Sequence, residues 1–463
     1  MENNEITLLK KILTIRSLSG NEEELSAYLF DQLKAAGIES RLQPVSGKSS
    51  NLLARVSLGR KYRLVISAHL DTETVQDPAK WQFPPYEAQE IKGRIYGRGA
   101  NDTKGCLAAF FSGLIESREL VKTGEVLLAL TCREETDSAG VYALQSDEWF
   151  QGIVNGVLVG EPCFDEKYKA IFKSYPSIWL GGTGRQEIRI SGDFLEMLQA
   201  ACLIEGEMSE KYDPILGSGY YRVRRCLGSR NQTSGKYYSL RGEPRHGSGE
   251  KLSRNLAVDM LRLAFKYEDI SSFCVEPNQA ADGNYYLSIP ETARFCLTSD
   301  EHQAEIGILS EKLGYTLSEG SPFPPPVENF FIVDRNSIAS ETQSDVEQDL
   351  TKKIKRFAAL RVDYLKRNPQ FLRGWQQPVN SEFSQLVNSS IREINGRVPV
   401  AIYRMGPSDA NAFSADFKWE AVVFGTYGAN IHSDDEWVSA ESVTEVKETV
   451  KRIIQKLEAG AQR

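Results

Sequence analysis

Apolar residues recur along this chain in two rhythms. Helical spacing marks residues 3–16, 22–36 and 107–120. Ser19 and Glu22 have the Ser-x-x-Glu spacing of a capping box, and Gly37 supplies a C-terminal stop. Between such segments lie short, wholly apolar runs: Leu64-Val-Ile66, Val126-Leu-Leu-Ala-Leu130, Val157-Leu-Val159 and Ala421-Val-Val-Phe424. Runs of this length without alternation read as strands buried on both faces. Their alternation with helices predicts an α/β sheet with helices on both sides. The middle, residues 176–375, breaks the rhythm. It is rich in glycine, serine and charge, and carries a proline cluster at Pro322, Pro324, Pro325 and Pro326. The β-α pattern resumes after residue 380. The expected organisation is therefore one domain built from 1–175 and 376–463, with a second domain, 176–375, inserted into it. No internal repeat is visible.

Composition narrows the function classes. A chain of 463 residues with 41% hydrophobic positions is long enough for two domains and a large core. Its net charge of -8 argues against nucleic acid or anionic lipid as a partner. No apolar run is long enough to span a membrane. The acidic start, Met1-Glu-Asn-Asn-Glu5, lacks the blocks of a signal peptide, so a cytoplasmic location is expected. Seven scattered cysteines with no Cys-x-x-Cys fit a reducing compartment.

Chemistry-bearing residues follow the apolar runs. His69 and Asp71 come after the first, Glu134 and Glu135 after the second, Glu161 after the third, and His432 soon after the fourth. Ligands in open α/β sheets gather beyond the carboxyl ends of the strands. Asp102 lies in Gly97-Arg-Gly-Ala-Asn-Asp102-Thr-Lys-Gly105. Imidazole and carboxylate together suit a zinc-type cation, and two such cations need a bridging carboxylate. The candidates divide accordingly: His69 and Glu161 for one metal, Glu135 and His432 for the other, Asp102 as bridge. Asp71 would accept from His69 and set its tautomer. Glu134 adjoins a ligand without sharing its direction, and is free to act as general base on a water. A single strand-end histidine is more often structural than a ligand, and a lone Glu-Glu pair is usually a solvated turn. Their convergence on one sheet edge, in this order, reverses that balance. Two divalent ions are expected, zinc before cobalt or manganese.

These motifs resemble the dinuclear zinc amidohydrolase and peptidase family of aminoacylase, carboxypeptidase G, acetylornithine deacetylase and succinyl-diaminopimelate desuccinylase. The likeness covers about residues 1–175 and 380–463. It implies a zinc-peptidase-like α/β/α catalytic domain with an inserted, enlarged α+β lid and dimerisation domain, and a homodimer through that lid. It implies the five ligands above, Asp71 as orienting residue and Glu134 as base. Gly242-Glu-Pro-Arg-His246-Gly-Ser248 and Asn255-Leu-Ala257 resemble the family's lid motif, which would make His246 an oxyanion donor. The lid's arginine position falls on Asp300 in one register and on Arg335 in another. Asp409, in Ser408-Asp409-Ala410, and Tyr427 and Gly428, in Gly425-Thr-Tyr-Gly428, would line the substrate end. The expected activity is hydrolysis of an N-acyl amino acid amide. Dipeptidase or carboxypeptidase action is the alternative, and a non-catalytic binding protein on the same scaffold a third reading. Tyr221-Arg-Val-Arg-Arg225, with Arg230, suggests a dock for an acidic carrier protein, against the plainer reading of a solvated strand face.

Overall fold

A computed structural model describes residues 4–75, 77–166, 174–213, 217–230, 235–241, 255–275, 292–323, 328–365, 372–404 and 406–462. The chain divides into two compact units, with crossings at Gly182–Thr183 and Gly374–Trp375.

The first unit is built on a sheet whose strands lie in the order Glu39–Ser46, Ser49–Ser57, Glu125–Thr131, Arg63–His69, Gly156–Val159, Ala421–Val423, Ser177–Gly182 and Trp375–Gln376. Val400–Arg404 also pairs with Ser177–Gly182. The four apolar runs are neighbours here and all parallel. Each is buried along its whole length, which is why they lack alternation. Helices Glu5–Leu13, Gly105–Ser117, Glu382–Asn395 and Ala440–Ala461 pack together, and Glu23–Ala35 lies against the first two strands. Ser177–Gly182, assigned from sequence to the insert, belongs to this sheet because its buried Ile178, Trp179 and Leu180 complete the apolar layer.

The expected capping box does not form. Glu22 precedes Glu23–Ala35 without a capping hydrogen bond. The Ser19 hydroxyl donates instead to Asp71, and Glu22 accepts from Ser49 Oγ at 2.6 Å and from the Arg133 N–H at 3.1 Å. The spacing that reads as a cap serves the site.

The second unit holds a repeat that the sequence conceals. Its first half has strands Gly184–Ser191, Gly217–Ser229, Phe330–Ser337 and Arg361–Tyr364, with helices Phe194–Ile204 and Gln343–Ile354 after the first and third. In the sheet they lie in the order fourth, first, third, second. The second half has strands Lys236–Arg241, Ile270–Val275, Thr292–Leu297 and Thr316–Glu319, with helices Leu256–Lys266 and Gln303–Lys312 in the same places. It has the same strand order. The halves join through their second strands, which run antiparallel with Cys226 opposite Val275 and Ser229 opposite Ser272. One apolar core, including Met197, Leu198, Phe273, Phe295 and Phe331, runs through both.

Candidate metal centre

The parallel register sets the site. His69 ends its strand directly opposite Thr131, and Ser67 stands opposite Val159. The chain leaving these strands therefore delivers His69, the pair Glu134–Glu135 and Glu161 to one edge. His432 arrives on the loop after the short strand Tyr427–Ala429, in a left-handed conformation with φ 57°. Arg133, just before the glutamate pair, is also left-handed at φ 65°. Such backbone is costly for residues with a Cβ and persists where its surroundings demand it. Gly425 lets the returning chain pass: a Cβ there would strike the Glu161 carbonyl and Cys106 Sγ.

Asp102 sits at the middle. Its Oδ1 lies 3.2 Å from His69 Nε2 and its Oδ2 lies 3.1 Å from His432 Nε2. Glu161 is 4.0 Å from the same His69 nitrogen, and Glu135 is 3.1 Å from the same His432 nitrogen. Each imidazole thus shares one oxygen of Asp102 and has its own second carboxylate. Ligand atoms of His69, Glu134 and Glu161 fall within 4.8 Å of one another, as do those of His69, Asp102 and Glu135, and of Glu73, Glu135 and His432.

Backbone around the centre is pinned by two further carboxylates. Asp71 accepts from the N–H groups of Glu134 (3.1 Å) and Glu135 (3.0 Å) as well as from Ser19. Its carboxylate is 3.6 Å from His69 Nδ1, whose nearer partner is the Asp71 carbonyl at 2.9 Å. Orientation of His69 thus comes first from the Asp71 main chain, while the side chain chiefly shapes the glutamate turn. Glu436 accepts from the N–H groups of Gly99, Asn101 and Asp102, each at 3.0 Å, and from Arg98 at 2.9 Å. Sequence reading passed over the roles of Ser19, Glu22, Glu73 and Glu436. The signal for Glu73 was present: His69-x-Asp71-x-Glu73 puts the three at alternate positions.

The electrostatics call for cations. Burial raises Glu134 well above its ordinary value, with Glu161 adding to the effect. Burial lifts Glu135 to about 7, and Asp409 to about 7. Asp102 is also buried, but hydrogen bonds from His432 and His69 outweigh that and hold it well below the usual carboxylate range. Burial opposes charge on both histidines, yet Asp102 and Asp71 push His69 well up, and Glu135 and Glu73 push His432 well up. Buried acids exceed buried imidazoles at this edge. Imidazole nitrogen with carboxylate oxygen is the donor set of a zinc-type ion, so the residues present fit a pair of divalent cations.

The comparisons with known proteins agree. The model of peptidase family M20/M25/M40 matches residues 65–456. The chain belongs to that family. A probable succinyl-diaminopimelate desuccinylase of Staphylococcus epidermidis is 34% identical over 171 residues, 36% of this chain and 42% of that protein. One from Staphylococcus aureus is 29% identical over 218 residues, 46% of this chain and 54% of its own. The chain therefore spans about half the length of these curated relatives. Among solved structures, an M20 metallo-carboxypeptidase of Sulfolobus solfataricus aligns over 98% of this chain and 99% of its own, at TM-score 0.62 and 17% identity. Human carnosine dipeptidase 1 aligns over 98% and 96%, at TM-score 0.60 and 13% identity. This chain is accordingly a member of a metallopeptidase family, with a mixed α/β fold. Among the described residues, no helix is long and apolar enough to cross a membrane.

The remaining expected site residues fall differently. Asp409 is buried beside the strand ends, and its Oδ2 accepts from Thr131 Oγ1 at 2.6 Å. Tyr427 and Gly428 belong to a small supporting sheet. The Tyr427 hydroxyl donates to Glu166, and its ring stacks on Phe164 at 5.2 Å. At Gly428 a Cβ would strike the Trp437 carbonyl and crowd Asn101. These two hold the loop that carries His432. Arg335 is fully buried within the second unit, bonded to Glu341 Oε1 at 2.6 Å. Its guanidinium is engaged by its own fold, which removes it as a substrate contact. Arg222 and Arg224 are buried, and Arg224 pairs with Asp334, while Arg225 and Arg230 are half-buried. His246 lies outside the described residues. Asn255 caps Leu256–Lys266 by accepting from the Ala257 N–H.

Proposed function

We propose that this M20 hydrolase cleaves an amide bond in an N-acyl amino acid or related small molecule. The observation that carries the reading is the division of Asp102 between His69 and His432 at 3.2 and 3.1 Å, with Glu161 and Glu135 flanking. His69, Glu161, Glu135 and His432 would be terminal ligands and Asp102 the bridge. Zinc is the proposed native metal. When bound, the two cations would polarise the amide carbonyl and ease deprotonation of water.

The chain's own residues do the rest. Glu134 is partly exposed, and its N–H is held by Asp71. It takes the proton from the attacking water and returns it to the leaving nitrogen. Asp409 closes the floor of the site beneath the substrate. His246 is proposed to donate to the developing oxyanion, as the family likeness suggests.

Dipeptidase or carboxypeptidase action is the second reading. It is favoured by the solved structures that align over 98% of the chain, named for those activities, whereas the desuccinylase relative matches 36% of it. A panel of N-acyl amino acids and dipeptides, offered to zinc-loaded protein and read by mass spectrometry, separates the two. Turnover of neither class would refute the proposal.

In place of the expected homodimer we propose a single-chain working unit. The pairing of Gly217–Ser229 with Ile270–Val275 already joins two like halves. Sedimentation at micromolar concentration should give the mass of one chain.

A further inference from the structure

We infer that Glu73 is a positioning residue for the cation at His432: its carboxylate accepts the Nδ1–H of His432 and holds the ring with Nε2 toward Asp102 and Glu135. The inference rests on the ligand assignment proposed above.

Glu73 is buried, at 2% exposure, and its Oε1 lies 3.4 Å from His432 Nδ1. Among the described residues, that oxygen has no hydrogen-bond partner. A buried carboxylate oxygen without a donor is costly. The donor it needs arises when His432 binds metal. A neutral imidazole carries one N–H. With the Nε2 lone pair committed to a cation, the proton must sit on Nδ1, facing Glu73. The carboxylate then fixes the tautomer, stops rotation of the ring and strengthens it as a ligand.

Geometry argues against Glu73 as a ligand itself. Asp102 Oδ2 and Glu135 Oε1 meet His432 at Nε2, both at 3.1 Å, whereas Glu73 meets the opposite nitrogen. One short stretch supports both imidazoles. The Asp71 carbonyl backs His69 at 2.9 Å, and the Glu73 carboxylate backs His432. Behind His69 the carbonyl is the nearer group, with the Asp71 carboxylate at 3.6 Å; behind His432 stands the Glu73 carboxylate at 3.4 Å. The cation at His432 should therefore depend strongly on Glu73, and the cation at His69 should not.

The test is zinc titration of the metal-free full chain against a competing chelator, for wild type, Glu73→Gln, Glu73→Asp and His432→Ala. Thermal melting of each metal-free protein confirms that it is folded. Wild type should take two equivalents and His432→Ala one. Glu73→Gln should still take two, with one equivalent weakened by about 10- to 100-fold and the other unchanged. Glu73→Asp, which keeps the charge but draws it back, should fall between, and supplies the answer should Glu73→Gln not fold. If His432→Ala binds two equivalents like wild type, the ligand assignment fails and takes this inference with it. If His432→Ala loses one equivalent while both Glu73 variants bind as tightly as wild type, the inference alone is overturned. It is equally overturned if Glu73→Gln takes one equivalent even at saturating zinc, for Glu73 would then be a ligand.

Discussion

Two clusters of buried charge, one in each unit, differ in how they are balanced. In the second unit Arg335 faces Glu341 at 2.6 Å and Asp349 at 3.8 Å, while Asp334 takes Arg185 at 2.8 Å and also Arg224. Cation and anion are supplied by the same fold. At the sheet edge of the first unit, Asp71, Glu73, Asp102, Glu134, Glu135, Glu161 and Asp409 gather around His69 and His432. There, among the described residues, the acids outnumber the imidazoles that face them. A balanced cluster is architecture; an unbalanced one is a request for ions from outside. Burial alone does not distinguish them, since Arg335 is as buried as any residue at the metal centre.

That contrast can be broken by substitution. Glu134→Gln should lower turnover about a hundred- to ten-thousand-fold while zinc content by elemental analysis stays near wild type. Near-normal turnover would remove Glu134 as the base. Arg335→Met should act oppositely: it strands Glu341 and Asp349, costs about 3–5 kcal/mol of stability in denaturant melts, and leaves zinc stoichiometry untouched in the surviving fold. Loss of metal without loss of stability would show that Arg335 serves the site after all.

Acidity gives a subtler handle. Glu135 and Asp409 are raised to about 7, Glu22 to about 7, and both histidines are raised as well. In each case the folded chain holds protons that the unfolded chain has lost. Stability of the metal-free protein should therefore fall as pH rises from about 4.5 through 7 and beyond. Zinc-loaded protein should show a shallower slope, because the cations take the place of the protons on Glu135 and the two histidines. Melting temperatures of both forms at several pH values check it; parallel curves would mean the acids are balanced by something else. The smallest effect is expected from Ser19→Ala. It removes one donor to Asp71 while the Glu134 and Glu135 N–H bonds remain, so the melt should shift by about 1.5 kcal/mol with zinc content unchanged.

Legibility from sequence divides along the same line. The strand-end residues were readable because parallel strands, buried on both faces, announce themselves as short apolar runs, and because each run is followed by a ligand type. Support was harder to read. Ser19 and Glu22 have a capping spacing, and nothing local shows that Asp71, 52 positions from Ser19, claims that hydroxyl. Arg335 looked like a substrate contact because a strand arginine carries no mark of whether Glu341 or a ligand awaits it. The repeat in the second unit was invisible for another reason. Its halves share strand order, which is a property of pairing, and not a common run of residues. The second half is also inserted between the second and third strands of the first, so no fixed period exists to be seen.

The strand Ala421–Val423 lies between Gly156–Val159 and Ser177–Gly182, although it is made some 240 residues after either. During synthesis the sheet must therefore wait with a gap, and the whole second unit leaves the ribosome first. His432 arrives only after that gap is filled. A chain halted between Glu161 and His432 holds the proposed ligands His69, Asp102, Glu135 and Glu161 but lacks the second imidazole. The centre proposed here is thus completed late in synthesis, by the segment that also fills the sheet.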